Sequence, residues 1–281
     1  MNQLSKQKLK SGKAIIRQHT SKFRDFLDYS KVKIVVTDLD GTLALSKAPM
    51  DDEMSKIICG LLSIKAIAVV GGGFYSQFQK QFVGALKCPA EKLSRLYLFP
   101  TNATAFYKFL GSEWQKVYSE DLSEEQKRLI YSAFPKALEL AGFKNPEKLF
   151  GNQLEDRGTQ ITFSALGQEA PLELKSAWDP DQKKRMAIKQ QLDKLLNGFE
   201  IRLGGTTSID ITKAGIDKAY AISKITEIFG YSKQEMVFIG DALYEGGNDY
   251  AVKLAGVESI STSGPEETKS LLRGIISSSQ P

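Results

Sequence analysis

The chain has 281 residues, of which 42% are hydrophobic and 25% charged, with a net charge of +5. That length supports one large or two modest domains with a real core, and no apolar run reaches the ~18 residues that a membrane span needs. The charge is uneven: residues 1–33 hold nine Lys/Arg against Asp25 and Asp28, so the basicity belongs to an N-terminal arm, and the body shows no nucleic-acid surface or motif.

Residues 1–30 read as a basic helical extension whose loose apolar stripe (Leu9, Ala14, Ile15, Phe23, Phe26, Leu27) packs across a core domain. Ile34-Val35-Val36 is a continuous apolar run, as in a central parallel strand, and predicts a first strand over 32–37. Asp38 and Asp40 follow it, with Gly41 to let the chain turn. A helix over 48–63 opens near Asp51 or Asp52. A second strand, 66–70, ends in Gly71-Gly72-Gly73 and leads into a helix over 74–86. A third strand, 96–99, stops at Pro100. This alternation predicts a doubly wound parallel sheet of Rossmann-like α/β type.

The pattern then changes. Gly111-Ser112 predicts a hairpin between 104–110 and 113–118. A helix over 121–141 starts near Ser123 and Glu124, and Pro135 is expected to kink or split it. Strands over 152–156 and 160–166, a charged helix over 179–196, and strands at 199–203 and 208–211 complete an α+β block. The domain plan is therefore a core of 31–118 and 212–281 with an inserted α+β cap over 119–211. The core resumes with a helix over 216–229, a strand over 236–239, a strand over 257–260 and a helix over 266–276. Cys59 and Cys88 suit a reduced cytoplasmic protein better than a disulfide scaffold. The N-terminus lacks the apolar region of a secretory signal. The single histidine, His19, argues against a zinc site.

Two acidic strand ends carry the chemistry. Asp38-x-Asp40-Gly41-Thr42-Leu43 follows the first strand, and Gly240-Asp241 follows the strand at 236–239. Open α/β sheets place ligands at such carboxyl ends. The amides of Gly71 and Gly72, at a helix start, offer a cradle for a phosphate oxygen. Lys218 sits near a helix start, where its charge opposes the dipole unless it faces an anion. The motif at 38–43 resembles the signature of the haloacid dehalogenase superfamily. Gly240-Asp241 with Gly246-Gly247-Asn248-Asp249-Tyr250, Leu203-Gly204-Gly205-Thr206-Thr207-Ser208-Ile209-Asp210 and Ser263-Gly264-Pro265 resemble its eukaryotic phosphomannomutase branch. That branch reads Val-Gly-Gly-Ser where this chain has Val70-Gly71-Gly72-Gly73.

The resemblance implies that Asp38 is a nucleophile forming an aspartyl-phosphate, that Asp40 is the general acid and base, and that Lys218 neutralises charge. It also implies a Mg2+ ion held by Asp38, the Asp40 carbonyl and Asp241, with Asn248 and Asp249 supporting it. Arg157, Ser208 and Asp210 fall at sugar-phosphate contacts. Lys47, Gln168 and Lys175 fall where the family has arginines, and neither an ammonium nor an amide equals a bidentate guanidinium. The weaker clamp favours a sugar-phosphate phosphatase. The alternative is a phosphohexomutase interconverting hexose 6-phosphate and 1-phosphate, and a third reading is a non-catalytic binding protein on this fold. The expected partner is a small-molecule sugar phosphate, without nucleic acid or membrane, and a homodimer stays open.

Overall fold

The structure is a computed structural model that describes residues 28–279. The helical extension expected over 1–30 lies almost entirely outside the described residues.

The first half alternates strand and helix: β1 (Ile34–Asp38), α1 (Asp52–Leu61), β2 (Ala66–Val70), α2 (Tyr75–Gln81), α3 (Ala90–Leu93) and β3 (Leu96–Phe99). Every residue of β1, β2 and β3 is buried, as a strand covered on both faces requires. The hairpin β4 (Ala105–Leu110) and β5 (Glu113–Ser119) follows. The last third supplies α7 (Lys218–Phe229), β10 (Met236–Gly240), α8 (Tyr250–Leu254), β11 (Glu258–Ser261) and α9 (Pro265–Ser278). Together they build a seven-stranded sheet in the order β11-β10-β1-β2-β3-β4-β5. The ladder is parallel from β11 to β3 and antiparallel through the hairpin.

β1 is therefore central. It pairs with β10 on one side and β2 on the other. The carboxyl ends of β1, β2 and β10 come together, which brings Asp38, the glycine run and Asp241 to one rim.

Between the two halves lies the insert: α4 (Glu124–Leu140), β6 (Leu154–Asp156), β7 (Ile161–Ser164), α5 (Leu172–Trp178), α6 (Lys183–Leu195), β8 (Phe199–Gly204) and β9 (Ser208–Lys213). Its four strands form an antiparallel sheet in the order β6-β7-β9-β8. Ile130, Phe134 and Ala137 of α4 and Ile188 and Leu192 of α6 share a core with Phe163, Ile201, Ile209 and Ile211 of that sheet.

Three expectations need correction. Pro135 does not split α4, which runs as one helix from Glu124 to Leu140 behind a Ser123–Gln126 capping box. Its flanking residues Phe134 and Ala137 are buried in the insert core, so packing holds the helix past the missing N–H. The helix expected from 179 begins only at Lys183, because Asp179 takes its place outside the helix and accepts from the N–H groups of Lys184 and Arg185. Finally, Cys59 and Cys88, expected as separate thiols, form a disulfide with Cα atoms 5.4 Å apart. Among the described residues no helix is long and apolar enough to cross a membrane.

Candidate active site

Asp38 closes β1 and is 4% exposed. Lys218, the first residue of α7, is 1% exposed. Its Nζ lies 2.8 Å from Asp38 Oδ1 and also bonds Asp249 Oδ1. Burial alone would lower the Lys218 pKa, but the carboxylates of Asp38 and Asp249 outweigh it and hold the ammonium above its ordinary value. Burial pushes the Asp38 carboxyl up to about 6, against the pull of Lys218. The cation at a helix start, unfavourable against the dipole, is thus explained by the anions it faces.

Asp241 follows β10. Burial, and then the charge of Asp249, raises its carboxyl, with Lys218 opposing. Carboxylate oxygens of Asp38, Asp241 and Asp249 all lie within 4.8 Å of one another. Two glycines make this crowding feasible. A Cβ at Gly41, where φ is +75°, would sit 2.2 Å from Asp241 Oδ2, and one at Gly240 would sit 2.2 Å from Asp249 Oδ2. Asp249 is committed at both oxygens, to Lys218 and to the N–H of Ala242 at 3.0 Å. That leaves Asp38 and Asp241 as the open hard-oxygen donors. Asn248 is exposed, and no hydrogen bond among the described residues ties it to this cluster.

Asp40 sits in the turn after β1, where the N–H of Gly41 donates to the Ala44 carbonyl. Its Oδ1 accepts from the Lys47 N–H and from Gln81 Nε2, both at 2.9 Å, and its Oδ2 accepts from Gln77 Nε2 at 2.6 Å. Gln81 is 2% exposed, and its Oε1 has no partner among the described residues. Leaving that oxygen bare costs about 1–3 kcal/mol, so the amide faces Asp40 at the expense of its own carbonyl. Sequence reasoning missed both glutamines. Their four-residue spacing on α2, just after the glycine run, is the one signal that could have found them.

The glycine run holds a correction. The Gly71 N–H donates to the Phe99 carbonyl at 3.2 Å, extending the β2–β3 ladder, so it is not free for a phosphate. Gly72 is exposed, and among the described residues its N–H makes no backbone hydrogen bond, which leaves it available.

The remaining residues lie mostly on the insert. Arg157 Nε donates to Glu155 Oε2 at 2.7 Å, its Nη2 to Gln168 Oε1 at 3.4 Å, and its guanidinium lies 4.0 Å from the ring centre of Phe74, just before α2. Lys175 Nζ donates to the Gln168 carbonyl at 2.8 Å. Burial lowers the Lys175 pKa, and the charges of Lys47 and Arg157 lower it further. Lys47, from the loop after Asp40, is thus within electrostatic reach of Lys175 on the insert. The Gln168 amide faces the carbonyls of Gln153 and Thr162 at 3.2 and 3.3 Å. Asp210 Oδ1 accepts from Thr162 Oγ1 at 2.7 Å, and burial raises its carboxyl against the pull of Thr162 and Arg157. Ser208, half-buried on the same strand, faces Ser164 in register.

A family model described as eukaryotic phosphomannomutase matches residues 54–278. The chain belongs to this family. Phosphomannomutase of Encephalitozoon cuniculi is 29% identical over 245 residues, covering 84% of this chain and 90% of that protein. The Schizosaccharomyces pombe phosphomannomutase is 28% identical, covering 78% and 84%. Among solved structures, Plasmodium falciparum IMP-nucleotidase superposes with a TM-score of 0.63 at 15% identity, over 90% of this chain and 72% of that one. A haloacid dehalogenase-like hydrolase of Bacteroides thetaiotaomicron gives 0.57 at 16%, over 85% and 91%. At such identities the structures speak to the fold, which is that of the haloacid dehalogenase superfamily. Members of the phosphomannomutase family are phosphotransferases of sugar phosphates, and this chain is an enzyme of that superfamily. The matched span begins after Asp40, so the first motif stands on the chain's own Asp38-x-Asp40-Gly41-Thr42.

Proposed function

We propose that this protein is a magnesium-dependent phosphohexomutase that interconverts hexose 1-phosphate and 6-phosphate, with mannose or glucose as the sugar. The observation that carries the reading is the approach of Lys47 and Arg157 to Lys175, whose pKa is lowered first by burial and then by these two charges, beside a Gln168 that both Arg157 and Lys175 contact. A mutase must hold one phosphate at a distance while Asp38 handles the other. Three cations drawn from the rim of the large sheet and from the insert suit a dianion there. A phosphatase ranks first on the loss of arginines alone. Family membership together with this cluster reverses that order.

In this reading the Asp38 carboxylate attacks one phosphorus of hexose 1,6-bisphosphate, the P–O ester bond breaks, and the departing oxygen of the hexose monophosphate takes a proton from Asp40. Asp40 then removes a proton from the free hydroxyl of a hexose monophosphate as the phosphoryl group passes from Asp38 to that oxygen, which regenerates the bisphosphate. Lys218 keeps Asp38 ionised and neutralises charge as it develops. The carboxylates of Asp38 and Asp241 and the Asp40 carbonyl would hold Mg2+, and their hard oxygens fit that ion. When bound, Mg2+ polarises the phosphoryl oxygens and offsets their charge. The exposed Gly72 amide would receive a phosphoryl oxygen. The insert would act as the cap, with Ser208 and Asp210 facing the sugar hydroxyls and Asp249 supporting the metal site through Lys218.

A phosphatase remains the second reading on one observation: Gln168 brings no charge, and its amide is already engaged with backbone carbonyls. The deciding assay uses purified protein, Mg2+ and mannose 1-phosphate, with and without catalytic hexose 1,6-bisphosphate. Inorganic phosphate and mannose 6-phosphate are followed together. The expected outcome is bisphosphate-dependent mannose 6-phosphate with little free phosphate. Rapid phosphate release without isomer would replace the mutase by the phosphatase.

A further inference from the structure

We infer that Gln77 is a positioning residue for the acid–base carboxylate of Asp40, and that the glycine at position 73 exists to admit it. The inference rests on the reading of Asp38 and Asp40 as the phosphotransfer pair and does not depend on which sugar is used.

A carboxylate offers about four lone-pair sites. In Asp40 the two on Oδ1 are taken by the Lys47 N–H and by buried Gln81. Both donors belong to the wall of the site, one main chain and the other 2% exposed. Among the described residues Oδ2 receives a single donor, Gln77 Nε2, at 2.6 Å. The oxygen with capacity left is the one able to exchange a proton with substrate, so Oδ2 is the reacting oxygen. Gln77 is half-buried, and its bond fixes the rotation of the carboxylate about the axis that Oδ1 anchors.

Position 73 is coupled to this bond. A Cβ there would lie 2.1 Å from Gln77 Oε1 and 2.5 Å from Gln77 Cδ. Real Cβ atoms do not approach so closely, and the backbone at Gly73 does not require glycine, since its φ is not positive. The glycine therefore answers to the space that the Gln77 amide fills. That amide stands between the glycine run and the acid, on the side of Oδ2.

The consequence is specific to one part of the reaction. When Asp38 attacks phosphorus and the ester bond breaks, an alkoxide leaves with the electron pair and must take the proton from Asp40 Oδ2. A nitrophenolate leaves as the anion and needs no proton. Misaiming Oδ2 therefore slows the first half-reaction of an alkyl phosphate and spares that of an aryl phosphate.

The test is a quenched-flow comparison of first-turnover rates with hexose 1,6-bisphosphate and with p-nitrophenyl phosphate, both with Mg2+. The proteins are wild type, Gln77→Ala, Gly73→Ser and the double variant. Gln77→Ala is expected to slow the hexose 1,6-bisphosphate step by about 10–100-fold and to leave the nitrophenolate burst within about twofold of wild type. Gly73→Ser alone is expected to slow the hexose step by displacing the amide. Added to Gln77→Ala, it is expected to recover part of the rate, because its hydroxyl fills the vacated space within reach of Asp40. An equal loss on both substrates would mean a structural role and overturn the inference. So would wild-type rates on both, or a double variant worse than either single one. If wild type turns over glycerol phosphate but no hexose phosphate, the function proposed above fails, and the same comparison is read with glycerol phosphate as the alkyl substrate.

Discussion

Lys218 and Asp38 form a buried pair whose protonation depends on what else enters the site. In the fold, burial lets the Asp38 carboxyl keep its proton up to about pH 6, against an ordinary value of 3.8. Between those values the folded protein binds a proton that the unfolded chain has released, so this group's contribution to stability falls as pH rises from about 4 to 6. In the proposed reading a divalent cation would replace that proton above the window and compete with it below. The rise in Tm on adding Mg2+ is therefore expected to be larger at pH 7.5 than at pH 5, and equal rises in a thermal scan would contradict it. The residues of this cluster are legible in the sequence because each marks an event in the chain. Asp38 and Asp241 end apolar runs, Lys218 opens a helix with the wrong charge, and Asp249 closes Gly246-Gly247-Asn248-Asp249. Gln77 and Gln81 carry no charge and match no motif, so only the folded helix reveals which carboxylate they face. The Gly71 amide was misread for the same reason: a strand's end residue decides between ladder and ligand only once its neighbour is known.

At the scale of elements, continuous apolar strands and capped helices were readable from periodicity alone, and β1, β2, β3, β10 and the hairpin lie within a residue or two of expectation. The failures are tertiary. Pro135 survives inside α4 because neighbouring side chains are buried on both sides of it. The start of α6 moves because Asp179, fully buried with Arg185, holds the preceding turn open. The helix α5 behind Pro171 was not anticipated, since its short run carries no strong period. The disulfide could not be read from two cysteines 29 residues apart. It ties α1 to the segment beyond α2, closing a loop of about 30 residues, for which chain entropy suggests about 3–4 kcal/mol. Reductant is expected to lower wild-type stability in urea by about that amount and to leave a Cys59→Ser, Cys88→Ser double variant unmoved. A wild type indifferent to reductant would show that the bond adds nothing in solution.

Across the whole molecule, the insert meets the rim of the large sheet through like charges as well as contacts. Arg157 lies against Phe74, while Lys47 and Lys175 repel one another across the same approach. An anion that sits among them gains from all three and draws the insert down. Hexose 1,6-bisphosphate is therefore expected to raise Tm more at low than at high ionic strength. Lys175→Ala is expected to remove most of that increment while changing the Tm of the free protein little. An undiminished increment in the variant would place the anion elsewhere. The strand order has a further consequence for how the chain is made. β1 is the centre of the large sheet, yet one of its two neighbours, β10, is encoded about 200 residues later. At synthesis rates of about 5–20 residues per second, β1 and β2 wait roughly 10–40 s on the ribosome with an apolar, unpaired edge open to any other strand. A nascent chain of this protein is thus a natural client for chaperones, and a truncated product ending before Met236 is a natural seed for aggregates.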